Sequence, residues 1–255
     1  MTAPPVILIH GFAQLPQSWQ SVMQLMSDEF DVIAPIVRGH GPNALAQDPP
    51  SYAGVREDLL EVLDVQQLGQ VVLWGYSQGA RIALDFALHQ PQRISALVLE
   101  SGSAGIDDET ARATRHAADG ALASWIEHHS PEDFAAHWES QPIFGTQSAE
   151  AIAEQREVRA SHDPMALASA LRDLGQSAFE PVWHRLSELT APTLLLTGGH
   201  DETYTQLAMR MAQLLPHCTQ VVIPDVGHSV HLEAPEESVA AVRSFLAAQD
   251  PAVAS

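Results

Sequence analysis

The 255-residue sequence contains no lysine and a single cysteine. Its 12 basic residues, all arginines, face 32 acids, which gives a formal charge of −20. A surface this acidic repels phosphate backbones and anionic lipid, which excludes nucleic acid and membrane surfaces as expected partners. Any cation in a binding site must be an arginine or a protonated histidine. One cysteine allows no intrachain disulfide and fits a reduced, cytoplasmic setting. Cys218 sits in Leu215-Pro216-His217-Cys218, just before a strand pattern, and reads as small filler rather than a nucleophile. Long hydrophobic runs are missing too. The first apolar run, residues 6–9, has no basic leader, so no secretory signal is expected. No run approaches membrane-spanning length, and there is no internal repeat or low-complexity tract.

The sequence is 45% hydrophobic, enough for one large domain with a full core. Short, nearly continuous apolar runs at 6–9, 31–36, 71–74, 94–99, 193–197 and 220–223 read as strands buried on both faces of a parallel sheet. Helical patterns at 18–26, 52–68, 80–89, 205–215 and 235–248 alternate with them. The spacing predicts an α/β, doubly wound, mostly parallel sheet of about six strands. From about 103 to 189 the strand rhythm stops and helix signals dominate. Ser130-Pro131-Glu132-Asp133 and Asp163-Pro164 are helix starts, and Leu167, Ala170, Leu171 and Leu174 follow at helical spacing. The expected organisation is a core of residues 1–102 and 190–255 with a helical cap, 103–189, inserted over the sheet's carboxyl edge. Residues 250–255 are expected to fray.

The most informative motif is Gly75-Tyr76-Ser77-Gln78-Gly79, a G-x-S-x-G with a strand before it and a helix after it. This is the nucleophile elbow of the α/β-hydrolase fold, which lifts a serine clear of the sheet. Such a serine needs a base, and the base needs an orienting acid, in the chain order Ser, acid, His. Asp201 follows the 193–197 strand and His228 follows the 220–223 strand. Ser77, His228 and Asp201 are therefore the expected catalytic residues. Glu100 is the alternative acid. His231 is the rival histidine, expected to pack in a helix-entry turn. The oxyanion hole requires two backbone N–H donors, expected from Gln78 and Phe12. His10 reads as a brace for the Phe12 loop. Adjacent His128 and His129 point different ways on a helix, and no metal site or cofactor is expected.

Beyond the elbow, Gly75-Tyr76-Ser77-Gln78-Gly79-Ala80-Arg81 resembles the elbow of the 2-succinyl-6-hydroxy-2,4-cyclohexadiene-1-carboxylate synthase family, the menaquinone-pathway lyases. Glu100-Ser101-Gly102, Arg112, Arg115 and Arg159 match the family pattern. So does Trp138-Glu139-Ser140-Gln141-Pro142-Ile143-Phe144. The resemblance spans nearly the whole chain. It implies a lyase whose triad serine acts as a base and drives loss of pyruvate from a small, carboxylated, anionic substrate. It also implies a substrate-binding set of Tyr76, Arg81, Arg115, Trp138 and Arg159, in which the arginines bind carboxylates as bidentate forks. Arg112 reads instead as a solvated or salt-bridged helix residue. Ala80 replaces the family's second elbow glycine, Thr203 stands where the family usually carries a lysine, and the leading antiparallel strands of many relatives look absent. A carboxylesterase or C–C hydrolase on the same frame, and more distantly a non-catalytic binder, stay open as alternatives.

Overall fold

The computed structural model describes residues 4–44 and 49–249, so the expected fraying of 250–255 lies outside the described residues. Six strands form one sheet: β1 (Val6–Ile9), β2 (Val32–Ile33), β3 (Val71–Tyr76), β4 (Ile94–Glu100), β5 (Thr193–Gly198) and β6 (Cys218–Ile223). Their order is β2-β1-β3-β4-β5-β6, and every pairing is parallel. The continuous apolar runs are explained by two-sided burial. Ile7, Ile9, Leu73, Leu97, Leu99 and Leu195 join one core, while Val6, Leu8, Trp74, Val98, Leu194 and Leu196 join the other. Successive side chains of a strand point to opposite faces, so a strand covered on both sides must be apolar throughout.

Helices α1 (Gln20–Met26), α2 (Tyr52–Val65) and α3 (Gln78–His89) follow β1, β2 and β3 respectively. After β5 and β6 come α8 (Glu202–Ala212), the short α9 (Val230–Glu233) and α10 (Pro235–Ala247). Between β4 and β5 lie α4 (Glu109–Ile126), α5 (Pro131–Glu139), α6 (Ala149–Ala160) and α7 (Pro164–Leu174). Each of these four has a side-chain N-cap. Asp108, Ser130, Ser148 and Asp163 accept hydrogen bonds from first-turn amides, and Ser130 forms a reciprocal capping box with Asp133. A small separate core of Ala123, Ile126, Phe134, Leu167, Ala168 and Leu171 holds the insertion together and reaches Ala13 beside β1.

Some element ends differ from the sequence expectation. The 31–36 run pairs only at Val32–Ile33, because β2 is an edge strand and Pro35 cannot donate to a ladder. The 18–26 helix starts as a 3-10 turn at Pro16–Trp19, and α2 ends at Val65 rather than at 68. Helix α8 starts at Glu202 rather than at 205, because Asp201 caps it.

The tightest constraint on the frame is where α3 crosses the strands. A Cβ on Gly79 would lie 2.1 Å from the carbonyl oxygen of Ile9, and one on Gly75 would lie 2.2 Å from that of Gly79. No atom on that side can move away cheaply, since both are backbone. Gly79→Ala is therefore expected to cost at least about 2 kcal/mol of stability in urea denaturation. Gly120→Ala, inside α4 with nothing within 4 Å of the new methyl, should be neutral or stabilising by up to about 1 kcal/mol. Equal effects of the two substitutions would contradict this account of the frame.

Candidate active site

The site lies at the carboxyl ends of β1 and β3. The chain leaves β1 toward β2 on one side and returns to β3 on the other, which makes a topological switch point. Ser77 joins β3 to α3 with φ 52° and ψ −107°, a backbone conformation costly for a residue with a Cβ. Its amide donates to the Glu100 carbonyl at 2.9 Å, tying the turn to β4. Position at the start of α3 also places Ser77 Oγ in the positive field of the helix N-terminus.

His228 Nε2 lies 3.1 Å from Ser77 Oγ, and His228 Nδ1 lies 2.6 Å from Asp201 Oδ2. Both His228 and Asp201 are buried. The carboxylate holds the proton on Nδ1 and leaves Nε2 to accept from the serine hydroxyl. Asp201 is fixed in turn by capping α8 through the Tyr204 amide. The rival residues are elsewhere engaged. Glu100 binds His231, 2.7 Å from its Nδ1, and does not contact His228. His231 is buried in α9, the helix-entry turn expected for it. His128 and His129 each bond a helix carbonyl through Nδ1.

Gln78 is the first residue of α3, so its amide has no acceptor within the helix. Its side chain is held away by the Leu174 carbonyl. Phe12 follows β1 on a loop closed by Gln14, whose side chain accepts from the Gly11 amide. His10 braces this loop. Its Nδ1 donates to the Gly11 carbonyl, and its Nε2 accepts from the Val37 amide. His40 and His162 pack beside it, with ring centroids 5.0 Å apart for His10 and His40 and 5.6 Å for His40 and His162.

Above Ser77 opens a cavity of about 570 Å³. Phe12, Tyr76, Gln78, Arg81, Arg115, Trp138 and His228 all line it, which brings together most of the residues singled out in the sequence. Arg81 is one helical turn past Ser77 and 5% exposed, and no carboxylate among the described residues pairs with it. Its Nε is buried without a hydrogen-bond partner. Arg115 is different: Asp119 Oδ1 holds its Nε at 2.6 Å and Gln176 Oε1 its Nη1 at 2.5 Å. Tyr76 offers its ring face, since its hydroxyl is bonded to Ser229 Oγ at 2.7 Å. Burial pushes that phenol well above its ordinary range. Arg159 does not line the cavity. It is buried behind Phe144, its guanidinium 5.2 Å from that ring's centroid, and loss of solvent lowers its pKa. Arg112 pairs with exposed Glu180 on the surface. Thr203 lines an adjoining recess of about 470 Å³ that shares Arg115, Gln176, Tyr204 and His228.

Asp119, Gln176 and Tyr204 were not singled out in the sequence. Asp119 lies four residues after Arg115, the spacing of a helical ion pair, and that was the available signal. Gln176 lies two residues past the end of α7, far along the chain from Arg115, and had none.

A parallel sheet with helices on both faces, an elbow serine and an inserted helical layer define a class, and the family comparison agrees. The α/β hydrolase fold family matches residues 4–235, and the chain belongs to it. More particularly, the chain is 34% identical to a putative 2-succinyl-6-hydroxy-2,4-cyclohexadiene-1-carboxylate synthase of Bacillus subtilis, over 94% of this chain and 89% of that one. The structure of MenH from S. aureus superposes with a TM-score of 0.90 at 32% identity, covering 95% of this chain and 93% of the other. A malate-bound thermophilic esterase from Thermogutta terrifontis superposes at 0.82 with 28% identity, covering 96% and 90%.

The histidine cluster under the Phe12 loop has a measurable consequence. Burial, aided by the nearby His162, lowers His10 to about 4, and burial lowers His40 and His162 as well. The unfolded chain therefore binds protons that the folded chain refuses. Stability is intact above the ordinary histidine value of 6.5 and is lost as pH falls toward about 4. The slope should reach about 1.4 kcal/mol per pH unit for each histidine. Urea midpoints should fall clearly between pH 7 and pH 5. Identical midpoints at the two values would contradict the neutral, buried state of these rings.

Proposed function

We propose that this protein is a pyruvate-eliminating lyase of the 2-succinyl-6-hydroxy-2,4-cyclohexadiene-1-carboxylate synthase type, with Ser77, His228 and Asp201 as its catalytic residues. The observation that carries the reading is Arg81. A buried guanidinium with no carboxylate partner is costly, and here it opens onto the cavity that holds Ser77. In a protein of charge −20, it provides a local site for a substrate carboxylate that the molecule as a whole repels. The names of the relatives support the same chemistry.

In this reading the substrate carboxylates dock on Arg81 and Arg115 against the aromatic wall of Trp138 and Phe12. His228 Nε2 takes the Ser77 hydroxyl proton, and the serine oxygen takes a proton from a ring carbon of the substrate. The electron pair released forms a ring double bond and expels the enolpyruvyl group through its C–O bond. The leaving enolate, reprotonated, becomes pyruvate. The amides of Gln78 and Phe12 stabilise the negative charge that develops on the substrate's oxygen. Asp201 stabilises the imidazolium formed on the way.

An ester-hydrolase reading has one specific support, the likeness to the Thermogutta esterase. There Ser77 would attack a carbonyl and form an acyl-enzyme. An arginine without a carboxylate partner in the cavity wall is not needed for that reaction on a neutral ester, and this favours the lyase.

Pyruvate release, followed by coupled reduction to lactate, tests the assignment. Ser77→Ala should lower kcat by about 10²- to 10⁴-fold. Arg81→Ala should lower kcat/KM by about 10- to 100-fold, the loss of one charge-assisted pair. Arg81→Lys should recover only part of it, because an ammonium lacks the planar fork. Wild-type turnover in the Arg81→Ala protein would contradict the carboxylate role.

A further inference from the structure

A second acid–histidine pair stands beside the first and plays no part in the chemistry just described. The Tyr76 ring separates them, its centroid 5.3 Å from His228 and 4.6 Å from His231. Glu100, the last residue of β4, and His231, in α9, have side chains with no solvent exposure. Three N–H groups converge on the Glu100 carboxylate. Its Oε1 accepts from the His231 amide at 2.9 Å and lies 2.7 Å from His231 Nδ1, and its Oε2 accepts from Trp74 Nε1 at 3.0 Å. His231 stacks on Trp19, with centroids 4.1 Å apart, and its Nε2 is buried without a partner. A proton on Nδ1 lets the ring donate to Glu100, and the three N–H groups leave both carboxylate oxygens hydrogen-bonded.

Burying such a carboxylate is costly before its partners compensate. What the pair connects gives it a use. The Glu100 carbonyl accepts from the Ser77 amide at 2.9 Å. The next residue, Ser101, donates its hydroxyl to the His228 carbonyl at 2.8 Å and is held at φ 46°, a left-handed conformation. Two adjacent residues thus touch the nucleophile turn on one side and the histidine loop on the other. Two amides of the loop are held separately: Gly227 N and Ser229 N both donate to Glu233. Glu233 makes no contact with the elbow in this network, so two ties join the elbow to the histidine loop: one runs through Glu100 and Ser101, and the other from the Tyr76 hydroxyl to Ser229 Oγ at 2.7 Å.

We propose that Glu100, through His231, and Ser101 are positioning residues that set the separation of Ser77 Oγ and His228 Nε2. The proposal rests on the reading that Ser77 and His228 carry the reaction. Neither residue touches the substrate cavity, so their loss alters proton transfer and leaves substrate binding intact. A loosening of the serine–histidine contact by a fraction of an ångström is enough to slow the step markedly.

The test compares wild type, Glu100→Gln, Ser101→Ala and Ser77→Ala in two assays. One is pyruvate release, with kcat expressed per fluorophosphonate-titrated serine. The other is the rate of phosphonylation itself, which needs no lyase substrate. Glu100→Gln should lower kcat at least about tenfold and Ser101→Ala about fivefold, with KM within twofold of wild type and phosphonylation slowed in parallel. A merely structural role would lower the melting temperature and the titrated fraction while leaving kcat per titrated site unchanged, and that result overturns the proposal. If Glu100→Gln does not fold, Ser101→Ala decides alone by the same criterion. Slowed phosphonylation without pyruvate release from any form would uphold the positioning role and sink the lyase reading. Full turnover by Ser77→Ala would overturn both.

Discussion

The structure depends on one close approach, the backbone of α3 against the ends of β1 and β3. Gly79 lies over the Ile9 carbonyl and Gly75 under that of Gly79, and neither position has room for a methyl group. The approach forces the chain to reverse sharply, and Ser77 takes the strain with φ 52°. Everything the site needs follows from that turn. It projects the serine hydroxyl beyond the sheet, leaves the Gln78 amide without a helical acceptor, and aims Arg81 one turn further along the same helix. The surrounding sheet, apolar on both faces, supplies the rigidity that keeps a strained residue in place.

Electrostatics gives the site its character. The molecule carries a large negative charge, yet the two arginines of the cavity wall are arranged differently. Asp119 and Gln176 fix Arg115, which makes it a shaped, largely neutralised donor. Arg81 has no carboxylate partner among the described residues and sits in a nearly dry position. A carboxylate arriving there gains a strong, weakly screened interaction. The aromatic wall of Phe12, Trp138 and Phe144 gives a flat surface beside it.

Much of this was legible in the sequence because it follows local rules. Two-sided burial writes strands as unbroken apolar runs. A glycine pair around a serine marks the elbow, and residues just past strand ends, such as Asp201 and His228, meet at one edge of a parallel sheet. Ser130 and Asp163 announced their helices through capping chemistry. What could not be read was set by tertiary packing. The 31–36 run looks like a full strand, but its edge position and Pro35 limit its pairing to two residues. Arg159 matches a family position, yet the packing of Phe144 closes it off from the cavity. Tyr76 stands in the elbow, but Ser229, more than 150 residues later in the chain, captures its hydroxyl. The tie between Glu100 and His231 spans 131 positions, and no local pattern reveals it.

In the proposed lyase, Ser77 acts as a proton acceptor rather than forming a bond to carbon. Intact-mass spectrometry during a single turnover, with enzyme in excess over the cyclohexene-carboxylate precursor, tests this most directly. The account predicts one equivalent of pyruvate and a protein mass that stays unmodified from first to last time point. A transient adduct on Ser77, or hydrolysis of an acyl-ester panel with an initial burst and no pyruvate, would contradict it.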